Sequence, residues 1–398
     1  MPYIANRVRE GEEGVFSLLQ GWIAEAQKAG KEIINLGIGS PNRCPEGPIL
    51  EAALESAKEH CSYEYPFIDP ELPKAIAKWY GERFGVSLDP KCEVVPLWGS
   101  QEGFAHFPLV AMESGDLCIL PDPGYPIYHY MPTMVDGSAW YLPLEEDNGF
   151  LPDFARIPED VAAKARFMVL NYPNNPLGVA AEKNVLEKAV TFCRENDIWL
   201  LYDNAYCELA YDGFRPPSVL EIEGASEVAV EVNSFSKTFN MAGMRIGFAV
   251  GNKVFLEALG RLKSNIDYGL YKPVQKAAIC ALTHPDRDEM IARTRTMYQA
   301  RRDAFLGAAA EKGWVVTPPR GSMFIWAKVP GCTDDMAFAE FCIKEAGVVV
   351  TPGRSFGRKG TGFVRIGLVK EPEVLAEGAS RIAETLEKWR CVSPSGQK

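Results

Sequence analysis

The sequence has little of what marks a membrane, metal or disulfide protein. Charged residues interrupt every apolar run in its 398 residues, so none nears the roughly 18 to 20 residues of a bilayer span and no membrane partner is expected. The first twenty residues carry Arg7, Arg9, Glu10, Glu12 and Glu13 and lack the apolar centre of a secretory signal, which points to a cytoplasmic protein. Only four histidines occur, none at metal-pair spacing, and none of the ten cysteines forms a Cys-x-x-Cys pair. No metal is therefore expected, and the thiols read as reduced core residues. Positive charge is also in deficit: 42 Lys and Arg face 53 Asp and Glu, a net −11. That is the reverse of a nucleic-acid footprint, and no nucleic-acid partner is expected. Gly37-Ile38-Gly39 runs into Ser40-Pro41-Asn42 without the third glycine of a dinucleotide fingerprint, which argues against a dehydrogenase.

What is present is the material of a large globular core, 47% apolar and 24% charged. Short apolar runs start at Val94, Leu117, Ser138, Phe167, Ile198, Val228 and Ile246, with helical patterns between them. Continuous rather than alternating apolar runs suit strands covered by helices on both faces, so an α/β fold with one large, seven-stranded, mostly parallel sheet is predicted. In residues 182–196 the apolar Val185, Leu186, Ala189, Val190 and Cys193 share one helical face. From about Asp286 a long charged helix is followed by shorter strand candidates at 314–317, 323–327 and 347–351, the pattern of a smaller α+β domain. Residues 46–286 are assigned to the large domain, and 1–45 with 287–398 to the small one.

Chemistry concentrates where predicted strands end. Asn233-Ser234-Phe235-Ser236-Lys237-Thr238 follows one strand, and Arg245 lies eight residues beyond Lys237. The C-terminal end of a strand is where open α/β sheets place ligands. Hydroxyls at 234 and 236 and a guanidinium at 245 can hold a phosphate dianion, and a lysine beside such a cradle points to a Schiff base with pyridoxal phosphate. A second strand ends in Tyr202-Asp203-Asn204-Ala205-Tyr206. Asp203 there suits the pyridinium nitrogen and Tyr206 the ring phenolate oxygen. Trp98-Gly99-Ser100-Gln101-Glu102-Gly103 can offer backbone N–H groups to phosphate, whereas Tyr172-Pro173-Asn174-Asn175-Pro176-Leu177-Gly178 reads alone as a turn.

In this order the clusters resemble a fold type I pyridoxal-phosphate enzyme of the class I/II aminotransferase family. Gly99 to His106, Pro121 to Pro126, Asn204 to Gly213 and Asp267-Tyr268-Gly269 are similar to its branch of LL-diaminopimelate and glutamate–pyruvate (alanine) aminotransferases. The resemblance implies a homodimeric enzyme with pyridoxal 5'-phosphate as cofactor, passing an amino group between an L-amino acid and a 2-oxo acid by a ping-pong cycle. It implies Lys237, Asp203 and Tyr206 as catalytic residues, Asn175 as a second donor to the ring oxygen, and Tyr125 stacked on the ring. Ser100, Gln101, Ser234, Ser236 and Arg245 would hold the phosphate, with Tyr65 arriving from the neighbouring subunit. Arg365 would meet the substrate carboxylate, assisted by Asn175, with Ile38 and Gly39 beside the substrate.

Three departures from the family pattern, Leu177 for threonine, Lys74 for arginine and Met244 for tryptophan, remove no catalytic group. For the distal end of the substrate the candidates are Phe16, Ile38, Tyr63, Tyr128, Lys263, Asp267 and Tyr268. They suit glutamate and 2-oxoglutarate as one pair, with alanine or a diaminopimelate-like substrate as the other. A lyase or synthase on the same scaffold stays open, since elimination starts from the same carbanion. So does a non-catalytic relative, against which intact Lys237 and Asp203 speak.

Overall fold

The computed structural model of the chain describes residues 4–9 and 15–392. After the short strand β1 (Ile34–Asn35), seven strands build the large sheet: β2 (Val94–Leu97), β3 (Leu117–Asp122), β4 (Ser138–Pro143), β5 (Ala165–Asn171), β6 (Trp199–Asp203), β7 (Ala229–Ser234) and β8 (Gly247–Gly251). Their order is β2-β8-β7-β6-β5-β3-β4, and only β8 runs against its neighbours. Both faces are covered by apolar clusters: Leu200 and Tyr202 pack on one side with Leu186, Ala189 and Val190 of the helix Lys183–Glu195, and Leu201, Val230 and Ala249 on the other with Phe104 and Phe255. This double burial is why the strands read as unbroken apolar runs.

The second sheet is β9 (Phe324–Lys328), β11 (Thr351–Pro352) and β12 (Phe363–Gly367), in the order β11-β12-β9, all antiparallel, with β10 (Val348–Val349) paired in parallel to β1. Its core includes Tyr298 and Phe305 of the 25-residue helix Arg287–Glu311 and Leu375 and Ile382 of the C-terminal helix. Two expectations need correcting here. Residues 314–317 form no strand: Trp314 turns inward beside Phe305 while Val315 is exposed, and the following Pro318-Pro319 supplies no N–H to a ladder. Residues 347–351 divide into β10 and β11, with different partners. Strand β12, which carries Arg365, was not anticipated as a strand.

Candidate active site

Register brings the C-terminal ends of three neighbouring strands together. Asn171 of β5 is paired with Asp203 of β6, and Asp203 with Val232 of β7, two residues before Ser234. Asp203 is buried and, among the described residues, has no cation within ion-pair distance; its Oδ2 accepts the Tyr128 hydroxyl at 2.5 Å and its Oδ1 the Ala205 N–H at 3.1 Å. Burial lifts its pKa to about 6 against these bonds and the Lys237 charge. Past β7, Ser234 caps the short helical turn Phe235–Thr238 by accepting the Ser236 N–H at 3.1 Å, and that turn presents Lys237. Lys237 Nζ donates to Gly39 O at 3.3 Å. Burial, then Arg365 and Arg245, push its pKa down to about 8, with Asp203 opposing.

The Tyr172–Gly178 segment is more than a turn. Asn171 Nδ2 donates to Asp203 O at 2.9 Å while its Oδ1 accepts the Asn175 N–H at 2.8 Å, and Asn174 Oδ1 accepts the Leu177 N–H at 3.1 Å. This lattice fixes Asn175, whose Oδ1 accepts from Arg365 Nη1 at 3.0 Å. Arg365 Nη2 donates to Gly37 O at 3.1 Å, and the guanidinium carbon lies 4.3 Å and 4.7 Å from the Phe324 and Phe356 ring centres. Although Arg365 is only 4% exposed, among the described residues no carboxylate pairs with it and its Nε has no partner.

One cavity of about 460 Å³ gathers most of the anticipated residues. Ser100, Gln101, Ser234, Ser236 and Arg245 line one part, and Asp203, Tyr206, Tyr125, Asn175, Lys237, Gly39 and Arg365 line the rest. Tyr125 donates to Gln101 Oε1 at 3.2 Å. Ile38, although next to Gly39, is 41% exposed and does not line it. Tyr65 is also outside, 72% exposed with its ring 5.3 Å from that of Tyr268. Of the distal candidates, Tyr128 is fully buried with its hydroxyl on Asp203, Lys263 and Asp267 pair with each other at 2.5 Å and do not line the cavity, and Tyr63 donates to Ala57 O on the surface. The side chain of Phe16 lies outside the described residues. Of the departures, Leu177 packs with Trp326 and Phe356, Lys74 pairs with Glu71 on the surface, and Met244 packs against an apolar cluster of the large sheet.

Phe324, Phe356 and the Tyr128–Asp203 bond were missed from sequence. The first two look like ordinary core aromatics, whereas Tyr128 had a signal: it stands three residues after Tyr125 around the helix Pro126–Tyr130. The donor set fits pyridoxal 5'-phosphate. Three serine hydroxyls and Arg245 suit a phosphate, Lys237 an aldehyde, and the cation-free carboxylate of Asp203 a protonated ring nitrogen. Gly99 keeps room for Arg245: its φ is 76°, and a Cβ there would lie 2.6 Å from Arg245 Nη2.

Comparison with known proteins agrees with this chemistry. The pattern of "Aminotransferase class I and II" matches residues 31–382. LL-diaminopimelate aminotransferase of Desulforudis audaxviator is 43% identical over 380 residues, covering 95% of this chain and 96% of the relative. That of Moorella thermoacetica is 41% identical over 386 residues, covering 96% and 98%. Among solved structures, apo-BacF from Bacillus subtilis superposes with a TM-score of 0.92 at 36% identity, over 96% of this chain and 98% of that one. A probable N-succinyldiaminopimelate aminotransferase from Thermus thermophilus gives 0.88 at 37%, over 94% and 100%. The chain belongs to the class I and II aminotransferases, fold type I enzymes that use pyridoxal 5'-phosphate.

Proposed function

We propose that this aminotransferase runs a ping-pong exchange with glutamate and 2-oxoglutarate as one pair and a diaminopimelate-like substrate, or alanine, as the other. The observation that carries this reading is Arg365, a buried guanidinium that faces the cavity without a carboxylate of its own. An isolated buried charge is costly, and a substrate carboxylate is the partner that relieves it. Arg365 and Asn175 then bind the end common to all amino acids and orient the Cα–H toward Lys237. The cofactor, when bound, supplies the electron sink for the carbanion.

Lys237 Nζ, whose pKa of about 8 leaves much of it neutral near that pH, would take the Cα proton and return it to the cofactor carbon bound to the nitrogen, within the same half of the exchange. Asp203 would keep a proton on the ring nitrogen, and Tyr128 holds Asp203. Tyr206 and Asn175 would donate to the ring oxygen, Tyr125 would stack on the ring, and Ser100, Gln101, Ser234, Ser236 and Arg245 would hold the phosphate. Gly39, with its carbonyl on Lys237, would border the substrate.

The same proposal takes the active form as a cytosolic homodimer. Its support is an exposed aromatic surface of Tyr63, Tyr65, Phe67 and Tyr268, from which Tyr65 would reach the partner's phosphate. It also divides the chain into a body of residues 46–286 and one of 1–45 with 287–398, Arg365 reaching the site from the second. The diaminopimelate preference is supported by the relatives named above, which match along nearly the whole chain.

The test is a panel of single amino acids added to the holoprotein and followed by absorbance. LL-diaminopimelate and glutamate should each convert the cofactor to its amine form, and 2-oxoglutarate should restore it. Stoichiometric ammonia release without restoration would instead show elimination, and a preference for phenylalanine over alanine would overturn the substrate class.

A further inference from the structure

Behind the phosphate end of the cavity lies a closed ring of polar contacts that the proposed chemistry leaves unused. The Trp98 N–H donates to Glu102 Oε2 at 2.8 Å. Lys263 Nζ donates to Glu102 Oε1 at 3.1 Å and to Asp267 Oδ2 at 2.5 Å. Asp267 Oδ1 accepts the Gly269 N–H at 3.1 Å, and Gly269 O accepts from Trp98 Nε1 at 2.8 Å, which returns the ring to its starting residue. His106 Nδ1 lies 2.7 Å from Glu102 Oε1 without hydrogen-bond geometry.

Lys263 is 5% exposed. A buried lysine between two carboxylates is weak as a stabilising device, because apolar replacements of such groups are often neutral or better. Its place in the fold gives it another use. The helix Ser100–Ala111 starts after Gly99, which has no side chain to spend on the first N–H groups, so these stay available to an anion. Glu102, at the third helical position, bonds the Trp98 N–H outside the helix and so holds the Trp98–Gln101 turn without consuming those donors. A carboxylate this near an anion site repels the anion, and Lys263, which it shares with Asp267, offsets part of that charge and anchors it. Burial pushes the Glu102 carboxyl up, but His106, Lys263 and the Trp98 N–H outweigh it and hold the group below its ordinary value.

We propose that Glu102, Lys263 and Asp267 are positioning residues that set the Trp98–Gln101 loop for the cofactor's phosphate. The proposal rests on the placement of that phosphate at Ser100 and Gln101. The ring also abuts the Tyr65 segment: a Cβ on Gly269 would fall 2.0 Å from Pro66 O, and the Tyr268 ring lies against Tyr65. One network therefore fixes the chain's own phosphate loop and the segment proposed to serve the partner's.

The test compares cofactor-free parent, Lys263→Met, Glu102→Gln and the double variant, titrated with pyridoxal 5'-phosphate and, separately, with pyridoxal, which lacks the phosphate. Lys263→Met should weaken binding of the phosphorylated form at least tenfold and leave pyridoxal binding within about twofold. Adding Glu102→Gln should recover part of the loss, since the carboxylate beside the phosphate is then gone although Asp267 stays without its lysine. Equal weakening for both ligands, or no recovery in the double variant, overturns the proposal. Should Lys263→Met fail to fold, Lys263→Gln, which removes the charge but keeps a polar side chain, carries the same two-ligand comparison. A parent that bound neither ligand would bring down the cofactor placement and the ring with it; a normal parent with an unaltered variant brings down the ring alone.

Discussion

Replacing Asp203 by Asn keeps the side chain's shape and removes its charge, so it isolates what the carboxylate does. Opposite charges about 4 Å apart at an effective dielectric of about 20 interact by about 4 kcal/mol. At about 1.4 kcal/mol per factor of ten, a ring nitrogen deprived of that partner should cost amino transfer about a thousandfold. The cofactor-free protein should show a second effect. Burial raises the Asp203 pKa from 3.8 to about 6, so the folded state binds more protons than the unfolded one between those values. The group's contribution to stability is then fully present below the unfolded pKa and is lost as the pH rises through about 6. A lift of about two units corresponds to roughly 3 kcal/mol at most. Asn cannot titrate, and one of the two donors, Tyr128 or the Ala205 N–H, must face its amide nitrogen. The variant should therefore be less stable than the parent at acid pH, lose that disadvantage above about pH 6, where the parent carries a buried charge, and lack the parent's slope between the two. Single-turnover absorbance with a good amino donor gives the rate, and denaturant titrations of the cofactor-free proteins at about pH 4.5 and about pH 7.5 give the slope. A rate within tenfold of the parent, or a stability difference between the two proteins that does not change with pH, would refute the reasoning.

Two further outcomes are expected. Lys237 is held down to about 8, so reconstitution of the cofactor-free protein should accelerate as the pH rises through about 8 and then level off, followed by stopped-flow absorbance; acceleration centred above about pH 10 would mean that the amine is not perturbed. Arg365→Ala should lower kcat/KM for amino acids about a hundredfold, in line with about 3 kcal/mol for one partner of a buried charge pair, while cofactor absorbance stays unchanged; a change in cofactor affinity with normal kcat/KM would place Arg365 at the wrong ligand.

Much of this was legible in the sequence because burial is legible. Strands β5, β6 and β7 are covered on both faces, and their apolar runs end in Asn171, Asp203 and Ser234, polar residues that a core strand would not otherwise end on. The helix at 183–195 declared itself by one apolar face. What stayed hidden were partnerships across sequence distance. Nothing local says that Tyr128 will sit under Asp203, or that Lys263 will close a ring through Trp98 rather than meet solvent or substrate. Val315 shows the converse error: it belongs to an apolar run, yet it stays exposed because the two prolines that follow cannot pair with a neighbouring strand.

The central claim is that Lys237 is where the cofactor is covalently held. Borohydride reduction of the purified yellow protein, followed by proteolysis and mass measurement, tests it most directly. The cofactor's mass should appear on the peptide that contains Lys237, at about one per chain, and the yellow colour should be lost together with activity. Mass added at another lysine, or colour lost with no adduct on that peptide, would contradict it.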